Sequence, residues 1–238
     1  MPQTAPTVII TGSSSRQPTR PSRIPFGDTK LTDGAQRSHT IPQQVFNGPL
    51  ADLFSRIGKA QLPDGGLPFD PDNFLDNGQA LPSNNSSANG LSIFDLSQHK
   101  GSHPQVNAMM QDRLQPIYDD LIRDLADAPT PEARNLALID ADAKVRNIAD
   151  AMAAIGVGGA ADPNRPELRA VYNRADPNAR VIWRDWGSLT DAEKNLRIRQ
   201  NLDDLMGRFV DHSGYLTSAG DSLFKVFRVL TQGSVGAL

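Results

Sequence analysis

The strongest constraint on this chain lies between residues 104 and 125, where Val106, Met110, Leu114, Ile117, Leu121 and Leu125 recur every three or four positions. That spacing lines one side of a helix and leaves the other side polar. Pro104 suits a first-turn position, which makes Ser102 or His103 the cap, and Pro116 is expected to kink the helix.

The stretches that follow carry the same period. Residues 131–155 place Leu138, Val145, Ile148, Met152 and Ile155 on a helix that the GVGG run ends. Thr190 and Glu193 have capping-box spacing for a helix through about residue 210, with Leu202, Leu205, Met206 and Phe209 inward. A last helix is expected over 218–230, and ARVIWRDW (179–186) fits a strand or a buried loop equally well. Earlier in the chain, an extended piece at 36–41 stops at Pro42. PLADLFSRIGKA then sets Leu50, Leu53, Phe54 and Ile57 on one helix face. Residues 61–97 are crowded with turn formers (PDGG, PFDPDN, DNG, PSNNSSANG) and leave room only for a brief strand at 78–81. The expected fold class is therefore mainly α with a small β element.

Residues 1–34 are rich in Pro, Ser and Thr, with Arg16, Arg20 and Arg23 and no acidic residue before Asp28. Such a segment buries too little apolar surface to offset its ordering entropy, and reads as a flexible leader or a docking tag. The whole chain is 38% apolar with a mean hydropathy of −0.41, which is lean for full packing. No cysteine is present, so disulfides, thiolate metal sites and cysteine nucleophiles are excluded together, and any metal must be held by nitrogen or oxygen. No apolar run approaches the roughly 18 residues that span a bilayer, and the VII triplet near the start is too short for a signal-peptide core. The expectation is a soluble protein without membrane insertion that, if exported, uses a route not reading such a peptide.

The net charge of −3 is unevenly spread. Residues 1–34 carry four basic and two acidic side chains, 35–127 six and eleven, and 128–238 fourteen of each. No basic groove follows from these numbers, which weighs against a tight nucleic-acid binder held by phosphate neutralisation and less against an enzyme needing a few local contacts.

Three of the four histidines fall between 35 and 127. His99 and His103 have i, i+4 spacing and Asn107 continues the row, so all three share a helix face; if the helix begins only at Pro104, His99 approaches from the preceding loop. Taken alone, an HxxxH pair is more often two solvated or capping residues than a metal site. Asn77 likewise reads as a turn residue before Gly78. Trp183 and Trp186 suit core packing, or base stacking if basic residues surround them. His212 follows Asp211 at a helix end, where it would face the negative pole of the helix.

The order of these pieces carries a resemblance. SHTIPQQVF, a helix, DNGQALPSN and then HKGSHPQVN leading into a long helix is similar to the AHH family of the HNH/endonuclease VII nucleases, the His-Me finger or ββα-metal fold. The match spans residues 37 to about 125. Between the leader over 1–34 and the helical C-terminal region over 128–238, it implies a ββα-metal nuclease domain over 35–127. It also implies that His39 is the general base, that His99 and His103 bind one divalent ion with Asn107 as third ligand or brace, and that Asn77 pins the loop behind the base through its amide. Arg37, Lys100 and Arg113 are the nearest cations and so the candidates for phosphate contact, though solvated surface residues look the same in sequence. Two positions depart from the family pattern: Ser38 stands where a first histidine is usual, which removes one candidate ligand, and Val106 where tyrosine is usual.

What the resemblance implies about activity is a metal-dependent endonuclease, a phosphodiesterase acting on DNA, of the bacterial toxin-effector type. Such an effector is secreted without a signal peptide, acts in the target-cell cytoplasm and is neutralised in the producer by a cognate immunity protein. A secretion-system adaptor or spike protein is the further partner this implies, and residues 128–238 could serve as an annex, an immunity-protein surface or an adaptor. Mg²⁺ is the first expectation for the ion, with Mn²⁺, Zn²⁺ and Ni²⁺ also suited to imidazole and amide donors. Two alternatives stand beside it: a non-enzymatic interaction protein with a structural histidine site, and a metal-assisted hydrolase on another substrate.

Overall fold

The computed structural model describes residues 35–82, 103–158 and 165–222. The leader, His99, Lys100 and the greater part of the expected last helix lie outside them; residues 218–222, its beginning, are helical. Strand β1 (Ala35–His39) pairs antiparallel with β2 (Gly78–Pro82), with Ser38 opposite Gln79 and His39 opposite Gly78. Between the strands run three short helices: α1 (Gln43–Phe46), α2 (Ala51–Ile57) and the single turn α3 (Phe74–Asn77). Leu50, Leu53, Phe54 and Ile57 all reach the core, the face that their spacing predicts.

Helix α4 (Pro104–Asp127) begins with Pro104 in its first turn and His103 as cap, and it stays helical through Pro116. Every residue of the expected stripe is buried or packed against the core. Helix α5 (Pro131–Gly158) lies along α4 and runs beyond residue 155 into the GVGG run. Two short turns of 3₁₀ helix (Pro166–Leu168 and Trp186–Ser188) flank α6 (Asn178–Ile182). Helix α7 (Asp191–Phe209) packs on α4 and α5. Its N-terminus is closed reciprocally: Thr190 Oγ1 accepts from the Glu193 N–H and the Glu193 carboxylate accepts from the Thr190 N–H at 2.8 Å.

The 179–186 segment is no strand: residues 179–182 belong to α6, 183–185 form a loop, and Trp186 opens a 3₁₀ turn. The cause sits just upstream, where Asp176 Oδ1 accepts from the Asn178 N–H at 2.9 Å and starts the turn. Pro177, with its fixed φ, then leads into α6. Trp186 is buried and stacks on Trp183 with ring centres 5.2 Å apart, so the pair is core packing in this fold.

A single hydrophobic cluster runs from Ile41 to Val210 and takes in α2, α4, α5 and α7. The region after residue 127 is thus built into the same core as the region before it. The turn-rich segment is tied to α5 by polar bonds: Asp142 accepts from the Phe69 N–H at 2.5 Å, and Arg146 bridges Asp142 at 2.7 Å while donating to the Leu67 carbonyl at 2.8 Å. These bonds satisfy loop backbone that has no strand or helix partner. Among the described residues, no helix is long and apolar enough to cross a membrane.

Candidate functional site

Asn77 ends α3 and is fully buried. Its Oδ1 accepts from the Ile41 N–H at 2.7 Å and from the Thr40 hydroxyl at 2.6 Å. Its Nδ2 donates to the carbonyls of Ile41 and Pro71, both at 3.0 Å. All four bonds open to a carboxamide are therefore made. With the Thr40 N–H donating to the Asn77 carbonyl at 2.9 Å, they fix the backbone immediately after His39.

The pleat of the β ribbon sorts its side chains. Arg37 and His39 share one face, with the Arg37 guanidinium 5.0 Å from the centre of the Phe74 ring and the half-buried His39 ring 5.5 Å from that of Phe46. Opposite His39 is Gly78, where any Cβ would collide with the Phe74 ring and carbonyl. Ser38, Gln79 and Leu81 share the other face and are buried.

That buried face meets the C-terminal half of the chain. A Cβ on Gly156 of α5 would lie 2.0 Å from Gln79 Oε1 and 3.1 Å from the Tyr172 hydroxyl, so only glycine lets the three approach as they do. Tyr172 is 2% exposed. Burial holds its phenol protonated, pushing its pKa up against the opposing effect of the Gln79 amide beside it. His103 meets the Tyr172 ring edge to face, with ring centres 5.8 Å apart at 72°. Behind Tyr172, burial raises the pKa of Asp176 from 3.8 to about 6, against backbone N–H bonds from Asn178 and Tyr172 that favour its charged form.

His103 and the half-buried Asn107 stand one turn apart at the start of α4, where the Asn107 N–H donates to the His103 carbonyl at 3.1 Å. They present a nitrogen and an oxygen donor from one end of a helix. Among the described residues no group of three His, Asp or Glu side chains could hold a metal ion. A site built on His103 and Asn107 is therefore a site of neutral donors, at a helix terminus whose dipole is positive. Imidazole and amide donors suit a divalent ion, but the positive helix end opposes a cation, so an anion would have to share such a site.

The remaining candidates divide. His99 and Lys100 lie outside the described residues. Arg113 is removed from the phosphate-contact set: it is 2% exposed, and its guanidinium donates to the Asp203 carboxylate at 2.7 Å and to the carbonyls of Asp203 at 2.9 Å and Val210 at 3.3 Å. Its charge holds α4 to α7. His212 is exposed in the turn between the bridged residues Val210 and Leu216, beyond the last turn of α7.

Gln79, Gly156 and Tyr172 were not among the sequence candidates. Gly156 reads as a helix stop and Gln79 as part of a brief strand, and Tyr172 belongs to no periodic pattern. No protein-family model, curated protein or solved structure matches this chain.

Proposed function

We propose that the chain is a metal-dependent endonuclease of the ββα-metal type, acting on DNA as a secreted antibacterial effector with a cognate immunity protein. The resemblance of the three motifs supports the family, and the effector role, the partners and the export route rest on that resemblance alone. One observation carries the chemical reading: the Asn77 carboxamide, with all four bonds made, rigidly sets the backbone that leaves His39 at the end of β1.

In this reading His39 is the general base. A neutral imidazole with an ordinary pKa near 6.5 takes a proton from water at neutral pH, and the hydroxide so formed attacks phosphorus with no covalent intermediate. His103 and Asn107, with His99, would hold the ion. When bound, a divalent cation stabilises charge on the phosphorane-like transition state and on the leaving oxygen. Because the donors are neutral, little of the cation's charge is cancelled before the phosphodiester arrives. Arg37, on the same face as His39, is positioned to meet phosphate.

His39 lies on one face of the ribbon and the buried Gln79 on the other. His39 is the last paired residue of β1, and His103 connects through Tyr172 to Gln79, the neighbour of Gly78 opposite His39. The opposite faces favour the second reading, an interaction protein in which His103 belongs to a structural site and His39 packs on Phe46 without chemistry. Supercoiled plasmid incubated with the purified protein and Mg²⁺ or Mn²⁺, beside EDTA and His39→Ala controls, separates the two. Intact plasmid in every lane would rule out the first.

A further inference from the structure

We infer that Tyr172, backed by Gln79, is a positioning residue for His103, so that the region after residue 127 completes the site; this rests on the reading of His103 as a metal ligand. Three observations converge on it. The Tyr172 ring meets the His103 ring edge to face at 5.8 Å, a geometry that favours one orientation of the imidazole over rotation about its bonds. Tyr172 is itself immobilised: it is 2% exposed, and its backbone N–H donates to the buried Asp176 carboxylate at 3.2 Å. Its hydroxyl and the Gln79 amide crowd the one spot on α5 where Gly156 leaves room.

The consequence concerns the division of labour in the chain. A ligand imidazole needs its ring plane fixed before the ion arrives, and the groups that fix it typically affect metal affinity about 10–100-fold. His103 is the cap residue of α4, and its side chain makes no capping bond. Tyr172, from beyond α5, supplies a ring contact to it. The C-terminal region is then part of the metal site, and a fragment ending near residue 127 would lack a wall of it.

The test uses the full chain and two readouts, Mn²⁺ affinity by titration calorimetry and the ring signals of isotopically labelled histidine in the metal-free protein. His103 signals are identified by their loss in His103→Gln. In Tyr172→Leu the His103 signals should move and the Mn²⁺ Kd should rise by about tenfold or more, whereas Tyr172→Phe, which keeps the ring, should stay within about threefold of the parent. A folded Tyr172→Leu protein with unmoved His103 signals and parental Kd would overturn the inference. If Tyr172→Leu does not fold, Gly156→Ala displaces the flexible end of Gln79 and presses on the Tyr172 hydroxyl, and should shift the same signals; unmoved signals there overturn it equally. Should the parent protein bind no Mn²⁺, the metal reading fails, and the histidine signals still decide whether Tyr172 orients His103.

Discussion

Asn77 and Ile41 are joined twice, by a 2.7 Å bond from the Ile41 N–H to Asn77 Oδ1 and a 3.0 Å bond from Asn77 Nδ2 to the Ile41 carbonyl. The side chain thus imitates a strand partner at the point where the ribbon has ended, and it holds the chain rigid two residues past His39. Replacing Asn77 with Ala orphans buried groups on Thr40, Ile41 and Pro71. The expected loss is about 3 kcal/mol of unfolding free energy, measured by urea titration of tryptophan fluorescence. A loss below about 1 kcal/mol would mean that water takes over these bonds and that the turn is not set by Asn77.

Arg113 and Asp203 link α4 to α7 with the guanidinium side buried and the carboxylate side 39% exposed. Arg113→Met keeps the length and removes the charge. Asp203 can rehydrate, but the Val210 carbonyl loses a donor, so the expected destabilisation is about 2 kcal/mol. Any nuclease activity should persist at temperatures where the variant is folded, since Arg113 supports the helices and touches no substrate. A folded variant with activity abolished would restore Arg113 to the phosphate-contact set.

Asp176 gives the fold a pH dependence of known sign. Burial raises its pKa from 3.8 to about 6, so between those values the folded chain retains a proton that the unfolded chain has released. Its contribution to stability is highest below pH 3.8, falls as pH rises through 6 and is level above. Across that window the change is on the order of 2–3 kcal/mol. Asp176→Asn removes the titration, so the difference in unfolding free energy between variant and parent should shift in the variant's favour by that amount from pH 4 to pH 7. Parallel profiles would show that the carboxyl is charged throughout.

The helical part of the fold was legible because its signals are local. The stripe on α4, the α2 face and the Thr190–Glu193 box each depend on residues within a few turns of one another, and each forms as its spacing dictates. Arg113 was misread because a cation on a helix suggests surface. It lies two turns after Val106, on the buried side of the same stripe, and that position held the clue. The 179–186 segment was misread because its hydrophobic pattern has no clear period, while the start signal, Asp176 followed by Pro177, lies outside it. Tyr172 was invisible for a different reason: its contact with His103 joins parts of the chain far apart in sequence, and no local pattern marks it. The small sheet agrees with the expected α fold bearing a small β element, and the finer ββα-metal reading stands as the proposal above.

The central claim is that His39 works as a base beside a divalent ion, and cleavage of supercoiled plasmid by the purified chain tests it most directly. Nicked or linear product should appear with Mg²⁺ or Mn²⁺, vanish with EDTA, and form at least about 10²-fold more slowly with His39→Ala, the loss expected for removal of a general base. Cleavage undiminished by either EDTA or the His39→Ala substitution would contradict it.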